Sequence, residues 1–153
     1  MSSVNQSRKI LPPVYLLAAT LFMIGLNYFA PIKTILHAPV TYVGAVLIAL
    51  GLFIMIWPAV AFGKVGTAIK PFDDSTHLLT DGMYRITRNP MYLGMTTILL
   101  GIATLFGTAS PFVLVPVFVW IIQTKFIRHE EAALEKTFGD PYIEYKRSVR
   151  RWL

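Results

Sequence analysis

The fold is decided by residues 91–127, which read MYLGMTTILLGIATLFG, then TAS, then PFVLVPVFVWIIQTKFI. The two long stretches, 91–107 and 111–127, are almost entirely apolar, and each is about 25 Å long as a helix, close to the thickness of a bilayer core. The short link between them cannot cross a bilayer, so the two helices are predicted to form an antiparallel hairpin. Tyr92 and Arg128 then lie at similar depth at one membrane surface.

Two short polar motifs stand at the ends of this hairpin. The first runs from Arg88 to Tyr92 and reads RNPMY, and the second runs from Arg128 to Glu131 and reads RHEE. Because a hairpin returns its two ends to the same face, the motifs are predicted to meet.

Composition independently predicts a membrane protein. The chain of 153 residues is 55% hydrophobic and 14% charged, with a mean hydropathy of +0.58, and its apolar residues are bunched into long runs. We predict one all-α integral membrane domain over residues 1–153, with about four transmembrane helices, a C-terminal helical hairpin and a cytoplasmic helical tail. The absence of cysteine excludes disulfides, thiolate metal sites and a cysteine nucleophile, and no metal site is predicted. The predicted spans are 14–30, 40–62, 91–107 and 111–127.

The placement of charge predicts the orientation. With four spans, segments 1–13, 63–89 and 125–153 share one side and hold every Lys and Arg except Lys33. By the positive-inside rule this side is cytoplasmic, which places both termini in the cytoplasm. The net charge of +6 is interpreted as topology and attraction to anionic lipid. No nucleic-acid partner is predicted, because the chain has no aromatic and basic stripe.

The first motif predicts the start of a helix. Asn89 is a favourable N-cap and Pro90 suits the first helical position. The free N–H groups there, beside Arg88, suit an anionic group. At the other end of the hairpin, the helix bearing the acidic pair is predicted to continue to Phe138 and to stop at Gly139.

The acidic pair is predicted to point in two directions. Glu130 and Glu131 are about 100° apart around a helix. One is expected to face a pocket while the other pairs with Arg128. Together with the aromatic Tyr84 and Tyr92, such a site suits a zwitterionic cofactor with a flat ring and a sugar, of which S-adenosylmethionine is an example. A solvated salt-bridge cluster at a helix end gives the same pattern.

The chain resembles the isoprenylcysteine carboxyl methyltransferase family and its relatives among the phospholipid methyltransferases. The resemblance covers the C-terminal half, where separate pieces occur in the family's order and spacing, whereas residues 14–62 match only as apolar spans. The pieces are the stretch His77 to Tyr92, Glu130-Glu131, Leu134, Phe138-Gly139, Tyr142, Tyr145 and Arg151-Trp152.

This resemblance implies an S-adenosylmethionine pocket in residues 77–94 and 125–153. It also fits the lack of a glycine-rich turn after a strand, since the family does not use the fold of soluble methyltransferases. With Arg88 added for its charge, the expected cofactor residues are His77, Leu78, Leu79, Thr80, Tyr84, Arg88, Asn89, Pro90, Met91, Tyr92 and Glu130.

Two departures concern the acceptor. Asn89 stands where many members have histidine, so a proton role there is lost. The prenylcysteine enzymes have an arginine for the acceptor carboxylate where this chain has Phe126, and Arg128 is expected to substitute from a neighbouring position. A carboxylate acceptor needs only orientation by Arg128 or Arg88. An amine or thiol needs a base, for which Glu131 or His129 is the candidate.

The favoured function is S-adenosylmethionine-dependent methyl transfer to a lipidic or isoprenylated acceptor at the cytoplasmic interface, with carboxylate O-methylation preferred. The alternatives are phospholipid amine N-methylation, an NADPH-dependent membrane reductase and a non-catalytic membrane scaffold. Gly44, Gly51, Gly94 and Gly101 either allow close helix approach or reflect the general frequency of glycine in membrane helices.

Overall fold

The computed structural model describes residues 11–65 and 78–153, and over these ranges the regular secondary structure is helical apart from one isolated bridge between Thr34 and Thr108. The predicted all-α membrane architecture is confirmed. The helices are α1 (Pro12–Phe29), α2 (Val43–Val65, preceded by the 3-10 turn Val40–Tyr42), α3 (Pro90–Phe106), α4 (Ala109–Phe112), α5 (Leu114–Ile122), α6 (Arg128–Phe138) and α7 (Asp140–Ser148).

Three helical stretches in the described ranges are long and apolar enough to cross a membrane, namely Pro12–Phe29, Val40–Pro58 and Ala109–Phe138. The last combines α4, α5 and α6 through a π-helical turn at Gln123–Ile127, as the predicted continuation to Phe138 requires. Helix α3 is also apolar but has 17 residues. The predicted number of four spans therefore stays a prediction.

The predicted hairpin between α3 and the helix that starts at Ala109 is present. Helix α3 ends at Phe106 and is followed by Gly107, whose φ of +70° is readily adopted only by glycine. The chain between α1 and α2 closes this end of the bundle, because Ile35 N–H donates to the Gly107 carbonyl at 2.8 Å and Ala109 N–H donates to the Lys33 carbonyl at 2.8 Å. These bonds satisfy polar backbone groups at the end opposite Tyr92.

Helices α2 and α3 are antiparallel and their backbones touch. A Cβ added at Gly94 would lie 2.6 Å from the Gly51 carbonyl oxygen, and one added at Gly44 would lie 2.4 Å from the Gly101 carbonyl oxygen. Real Cβ atoms essentially never come within 3.0 Å of another heavy atom. The glycines therefore permit close helix approach, which gains dispersion contacts along both helices.

The chain beyond the apolar bundle folds back onto the start of α3. Helix α6 ends at Phe138, and Gly139 with a φ of +60° turns the chain into α7, as predicted for this glycine. Tyr142 and Tyr145 on α7 are buried. Their packing brings α7 and the following strap, which we define as residues 150–153, next to both polar motifs.

Candidate functional site

The two polar motifs meet, as the hairpin predicts. The hydroxyl of Tyr92, in the first turn of α3, donates a hydrogen bond of 2.7 Å to Oε1 of Glu130 on α6. Tyr92 is 7% exposed and Glu130 is half-buried. A hydrogen bond to a carboxylate is stronger than one between neutral groups, so this contact fixes the two helix ends relative to each other.

The two adjacent glutamates point in different directions, which is also as predicted. Glu131 turns away from Tyr92 and accepts hydrogen bonds from Arg151 Nε at 2.9 Å and Arg151 Nη2 at 2.6 Å. Arg88 Nη2 lies 3.1 Å from Glu131 Oε1. The Glu131 carboxylate raises the pKa of Arg151 by hydrogen bonding to it.

The predicted pairing of a glutamate with Arg128 is wrong. Arg128 is exposed, and Glu131 is instead held by Arg88 and Arg151. An exposed arginine gains little from pairing with a carboxylate, whereas a buried guanidinium without a counter-charge is strongly destabilising. Arg88, whose side chain is 9% exposed, is therefore the better partner.

Asn89 begins α3 as predicted, but its side chain does not cap the helix. The structure records no side-chain cap hydrogen bond there. The Asn89 Nδ2 group donates to the Arg151 carbonyl at 2.9 Å, and Thr87 Oγ1 donates to the same oxygen at 3.1 Å. Pro90, the first helical residue, is buried, and Met91 is half-buried beside it.

Tyr84 and the tyrosines of α7 form the aromatic part of the site. Tyr145 donates a hydrogen bond of 2.7 Å to the Tyr84 carbonyl. Burial raises the pKa of Tyr84, and the neighbouring Tyr145 and Glu130 add to the rise. Burial also raises the pKa of Tyr142 and of Tyr145, each to about 12. All three side chains are therefore neutral hydroxyls at physiological pH.

An open groove of about 500 Å³ lies between residues 78–80 and α7. It brings Leu78 and Thr80, both predicted cofactor residues, next to Tyr145. Leu79 is half-buried. His77, the remaining residue of this predicted segment, lies outside the described residues. The groove is lined by Leu78, Thr80, Pro141, Glu144, Tyr145 and Ser148.

Phe126 stands beside the Tyr92–Glu130 contact. It is 4% exposed, its ring centroid is 6.4 Å from that of Tyr92, and it packs edge-on against Tyr15 of α1 at 5.3 Å. The membrane side of the site is therefore aromatic. Over the described ranges, no group of three or more His, Asp or Glu side chains is placed to hold a metal ion.

The role of Arg151 was missed by sequence reasoning. Arg151 and Trp152 belonged to the resemblance, but no contact was predicted for them. Trp152 Nε1 donates to Gln123 Oε1 at 3.1 Å, and Gln123 opens the π-helical turn. The available signal for the contact of Trp152 was Gln123 near the end of an apolar run, because a polar side chain at membrane depth needs a partner.

The raised pKa values of Tyr142 and Tyr145 predict a loss of stability in alkali. Their folded pKa of about 12 exceeds the ordinary value of 10.0. The contribution of these two neutral hydroxyls to the stability of the folded protein is fully present below pH 10, and it is lost as the pH rises through 12. We expect the melting temperature of the detergent-solubilised protein to fall over this interval as tyrosinate absorbance grows. A Tyr142→Phe/Tyr145→Phe variant should show a smaller fall, and an equal fall would contradict the assignment.

Comparison with known proteins finds a family whose sequence model matches most of the chain. The sequence model described as "Phospholipid methyltransferase" matches residues 40–141, a range that includes Tyr92, Glu130 and Glu131. No solved structure shows significant similarity to the chain.

Several curated proteins are also similar. A "Probable protein-S-isoprenylcysteine O-methyltransferase" from Oryza sativa subsp. indica is 30% identical over 74% of this chain, and the match spans 61% of that protein. The "Protein-S-isoprenylcysteine O-methyltransferase A" of Arabidopsis thaliana is 28% identical over 97% of the chain and 77% of its own length. An "Uncharacterized protein" from Haemophilus influenzae is 41% identical over 41% of the chain and is matched along 100% of its own length. The chain thus spans about three fifths of the length of the rice relative.

Proposed function

The chain belongs to the phospholipid methyltransferase family, and from this premise we propose that it is a membrane enzyme that transfers a methyl group from S-adenosylmethionine to a lipidic acceptor. The observation that carries the proposal is the Tyr92–Glu130 hydrogen bond. It places an aromatic hydroxyl and a carboxylate, both within the range matched by the family, at one end of an apolar bundle.

The donor set fits this cofactor. Glu130 supplies a carboxylate that attracts a sulfonium or ammonium group and accepts hydrogen bonds from ribose hydroxyls. Tyr84 and Tyr92 supply aromatic rings and hydroxyls beside it. The open groove of about 500 Å³ at Leu78 and Thr80 adjoins these residues through Tyr145, whose hydroxyl donates to the Tyr84 carbonyl. When bound, S-adenosylmethionine supplies an activated methyl group on a sulfonium.

The residues of this chain would act mainly by positioning. An in-line displacement needs the acceptor and the methyl carbon aligned, and it benefits from the exclusion of water. Phe126 and Tyr15 line the membrane side with aromatic rings, which suits an acceptor that enters from the lipid. Glu130 and the neighbouring tyrosines would hold the donor and these rings would hold the acceptor, so that the methyl group could pass in line to the acceptor atom with a neutral thioether as the leaving group.

The favoured acceptor is the carboxylate of an isoprenylated or similar lipidic molecule. A carboxylate is already nucleophilic at neutral pH, so no proton has to be moved. Arg128, exposed at the first position of α6, is proposed to orient it. The names of the rice and Arabidopsis relatives support this choice.

The second candidate is N-methylation of a phospholipid amine, which the description of the matching family favours. This reaction gives an ammonium ion and requires a base for the proton. Glu131 is the proposed base, although both of its oxygens already accept contacts from arginines. Both candidates need the cofactor site at the cytoplasmic face, and we propose that both termini lie there.

Isothermal titration of the purified protein with S-adenosylhomocysteine and with NADPH tests the proposal. Binding of S-adenosylhomocysteine alone is the expected result. NADPH binding alone would indicate a reductase, and binding of neither would indicate a scaffold. Incubation with labelled S-adenosylmethionine and a total membrane extract then identifies the acceptor as an ester, which supports O-methylation, or as an alkaline-stable amine.

We predict that Glu130→Gln weakens S-adenosylhomocysteine binding by about tenfold, the cost of losing one charge-assisted contact. Glutamine keeps the shape of the side chain and removes its charge, so the helices should remain intact by circular dichroism. Glu135→Gln is the matched control, because Glu135 lies on the same helix in a solvent-accessible pair with Lys146. Unchanged affinity in Glu130→Gln would remove Glu130 from the site.

A further inference from the structure

The strap of residues 150–153 is bonded to the start of α3 through its backbone. Arg88 N–H donates to the Arg150 carbonyl at 3.0 Å. The Arg151 carbonyl accepts hydrogen bonds from both Thr87 and Asn89, two residues that are 0% and 8% exposed. The backbone of the strap is therefore part of the wall behind the first polar motif.

The side chain of Arg151 joins the strap to α6. Its Nε and Nη2 atoms donate to the two oxygens of Glu131 in a bidentate arrangement, the most directional form of an arginine–carboxylate pair. Glu131 is 7% exposed, so it exchanges these bonds for water with difficulty. Arg151, together with Arg88 at 3.1 Å from Glu131 Oε1, thus fixes the position of the Glu131 carboxylate.

The end of the strap is held at a second point on the same long helix. Trp152 donates its indole N–H to Gln123 at the start of the π-helical turn. A π turn adds a residue to the helix and rotates the residues after it, and such turns occur frequently at functional sites. Contacts at Gln123 and Glu131 therefore hold the helix on both sides of this irregular turn.

The direction of Glu130 depends on this arrangement. Adjacent residues are about 100° apart around a helix, so a rotation that displaces Glu131 also turns Glu130 relative to Tyr92. We propose that Arg151 is a positioning residue, which acts through Glu131 to aim Glu130 at Tyr92 and at the ligand. This inference rests on the proposed function, because the ligand is the methyl donor.

Substitution of Arg151 tests the inference in the full-length detergent-solubilised protein. Arg151→Met keeps most of the aliphatic side chain and removes the guanidinium group, and we expect it to weaken S-adenosylhomocysteine binding about tenfold. Arg151→Lys keeps the positive charge but cannot form the bidentate hydrogen bonds of a guanidinium. Its affinity for S-adenosylhomocysteine is expected to lie between those of Arg151→Met and wild type. Arg150→Met is the control, because it makes the same charge change at an exposed neighbouring side chain and keeps the backbone bond. It should bind like wild type.

A double-mutant cycle separates positioning from a general structural effect. If Arg151 acts through Glu130, adding Arg151→Met to Glu130→Gln should change the affinity by no more than about twofold, because the residue being aimed is already lost. A general loss of structure would instead give the same tenfold decrease in both backgrounds, and this result would overturn the inference. Arg151→Lys provides the same comparison if Arg151→Met fails to fold.

The outcomes also distinguish this inference from the proposed function. Wild-type protein that binds S-adenosylhomocysteine while both Arg151 variants bind equally well would overturn only the positioning role. Wild-type protein that does not bind it would overturn the proposed function and the positioning role together.

Discussion

A Glu131→Gln variant is expected to lose about 3 kcal/mol of stability, because it breaks a buried ion pair by removing one partner. Glutamine preserves the side-chain volume but leaves the guanidinium groups of Arg88 and Arg151 without a counter-charge. The Arg88 side chain is 9% exposed, and its Nε atom is buried with no hydrogen-bond partner. The remaining charge therefore has little access to water.

The melting temperature of the solubilised protein is measured by heating samples to a series of temperatures and quantifying the remaining folded protein by size-exclusion chromatography. Glu135→Gln is the matched control, because its ion pair with Lys146 is about 40% exposed on both sides and is expected to contribute about 0–1 kcal/mol. Equal melting temperatures for the two variants would contradict a stabilising role of the Glu131 cluster. Glu131→Gln should lower the stability whether or not the ligand is present, and because Glu131 positions Glu130 it should also weaken ligand binding.

The second large effect is expected at the contact between α2 and α3. A Gly94→Ala variant should be destabilised by about 2–3 kcal/mol, since its methyl group overpacks a tight interface. The new Cβ would lie 2.6 Å from both the Gly51 carbonyl oxygen and the Met55 nitrogen. Both are backbone atoms, so the helices themselves must move apart.

Gly25→Ala is the control for this prediction. Gly25 lies in α1, and nothing approaches its Cβ position within 4 Å. Alanine there should be neutral or stabilising by up to about 1 kcal/mol, because it favours helix. The melting temperature should therefore fall for Gly94→Ala and not for Gly25→Ala. A stable Gly94→Ala protein would show that the close approach of α2 and α3 is dispensable.

Separating α2 from α3 is also expected to affect the site. Tyr92 and Gly94 lie within the first turns of the same helix, so a shift of the α3 axis moves the Tyr92 hydroxyl relative to Glu130. Gly101→Ala, at the opposite end of α3, has a similar steric conflict at a greater distance from the hydroxyl. We expect Gly94→Ala to weaken S-adenosylhomocysteine binding more strongly than Gly101→Ala does.

Sequence reasoning succeeded where one local rule was sufficient. The apolar runs predicted the helices, and the short link at 108–110 predicted the hairpin. The hairpin in turn predicted the contact between Tyr92 and Glu130, observed at 2.7 Å. Helical geometry alone predicted that Glu130 and Glu131 point in different directions.

The same reasoning failed where several partners competed for one group. Arg128 was expected to pair with a glutamate because it lies within one turn on the same helix. In the structure Glu131 pairs instead with Arg151 and Arg88, which are 20 and 43 residues distant in sequence and are less exposed to water than Arg128. The Asn89 side chain likewise does not cap α3, because its amide donates a hydrogen bond of 2.9 Å to the Arg151 carbonyl instead.

The sequence by itself therefore determined the class of protein, the helical hairpin and the meeting of its two polar ends, because hydrophobic length and helical periodicity are local properties of the chain. Only the tertiary structure decided which arginines neutralise Glu131, that the 150–153 strap joins both motifs, and that α2 and α3 touch through their glycines. These features depend on distances between segments far apart in sequence and on the competition of each polar group between water and protein partners.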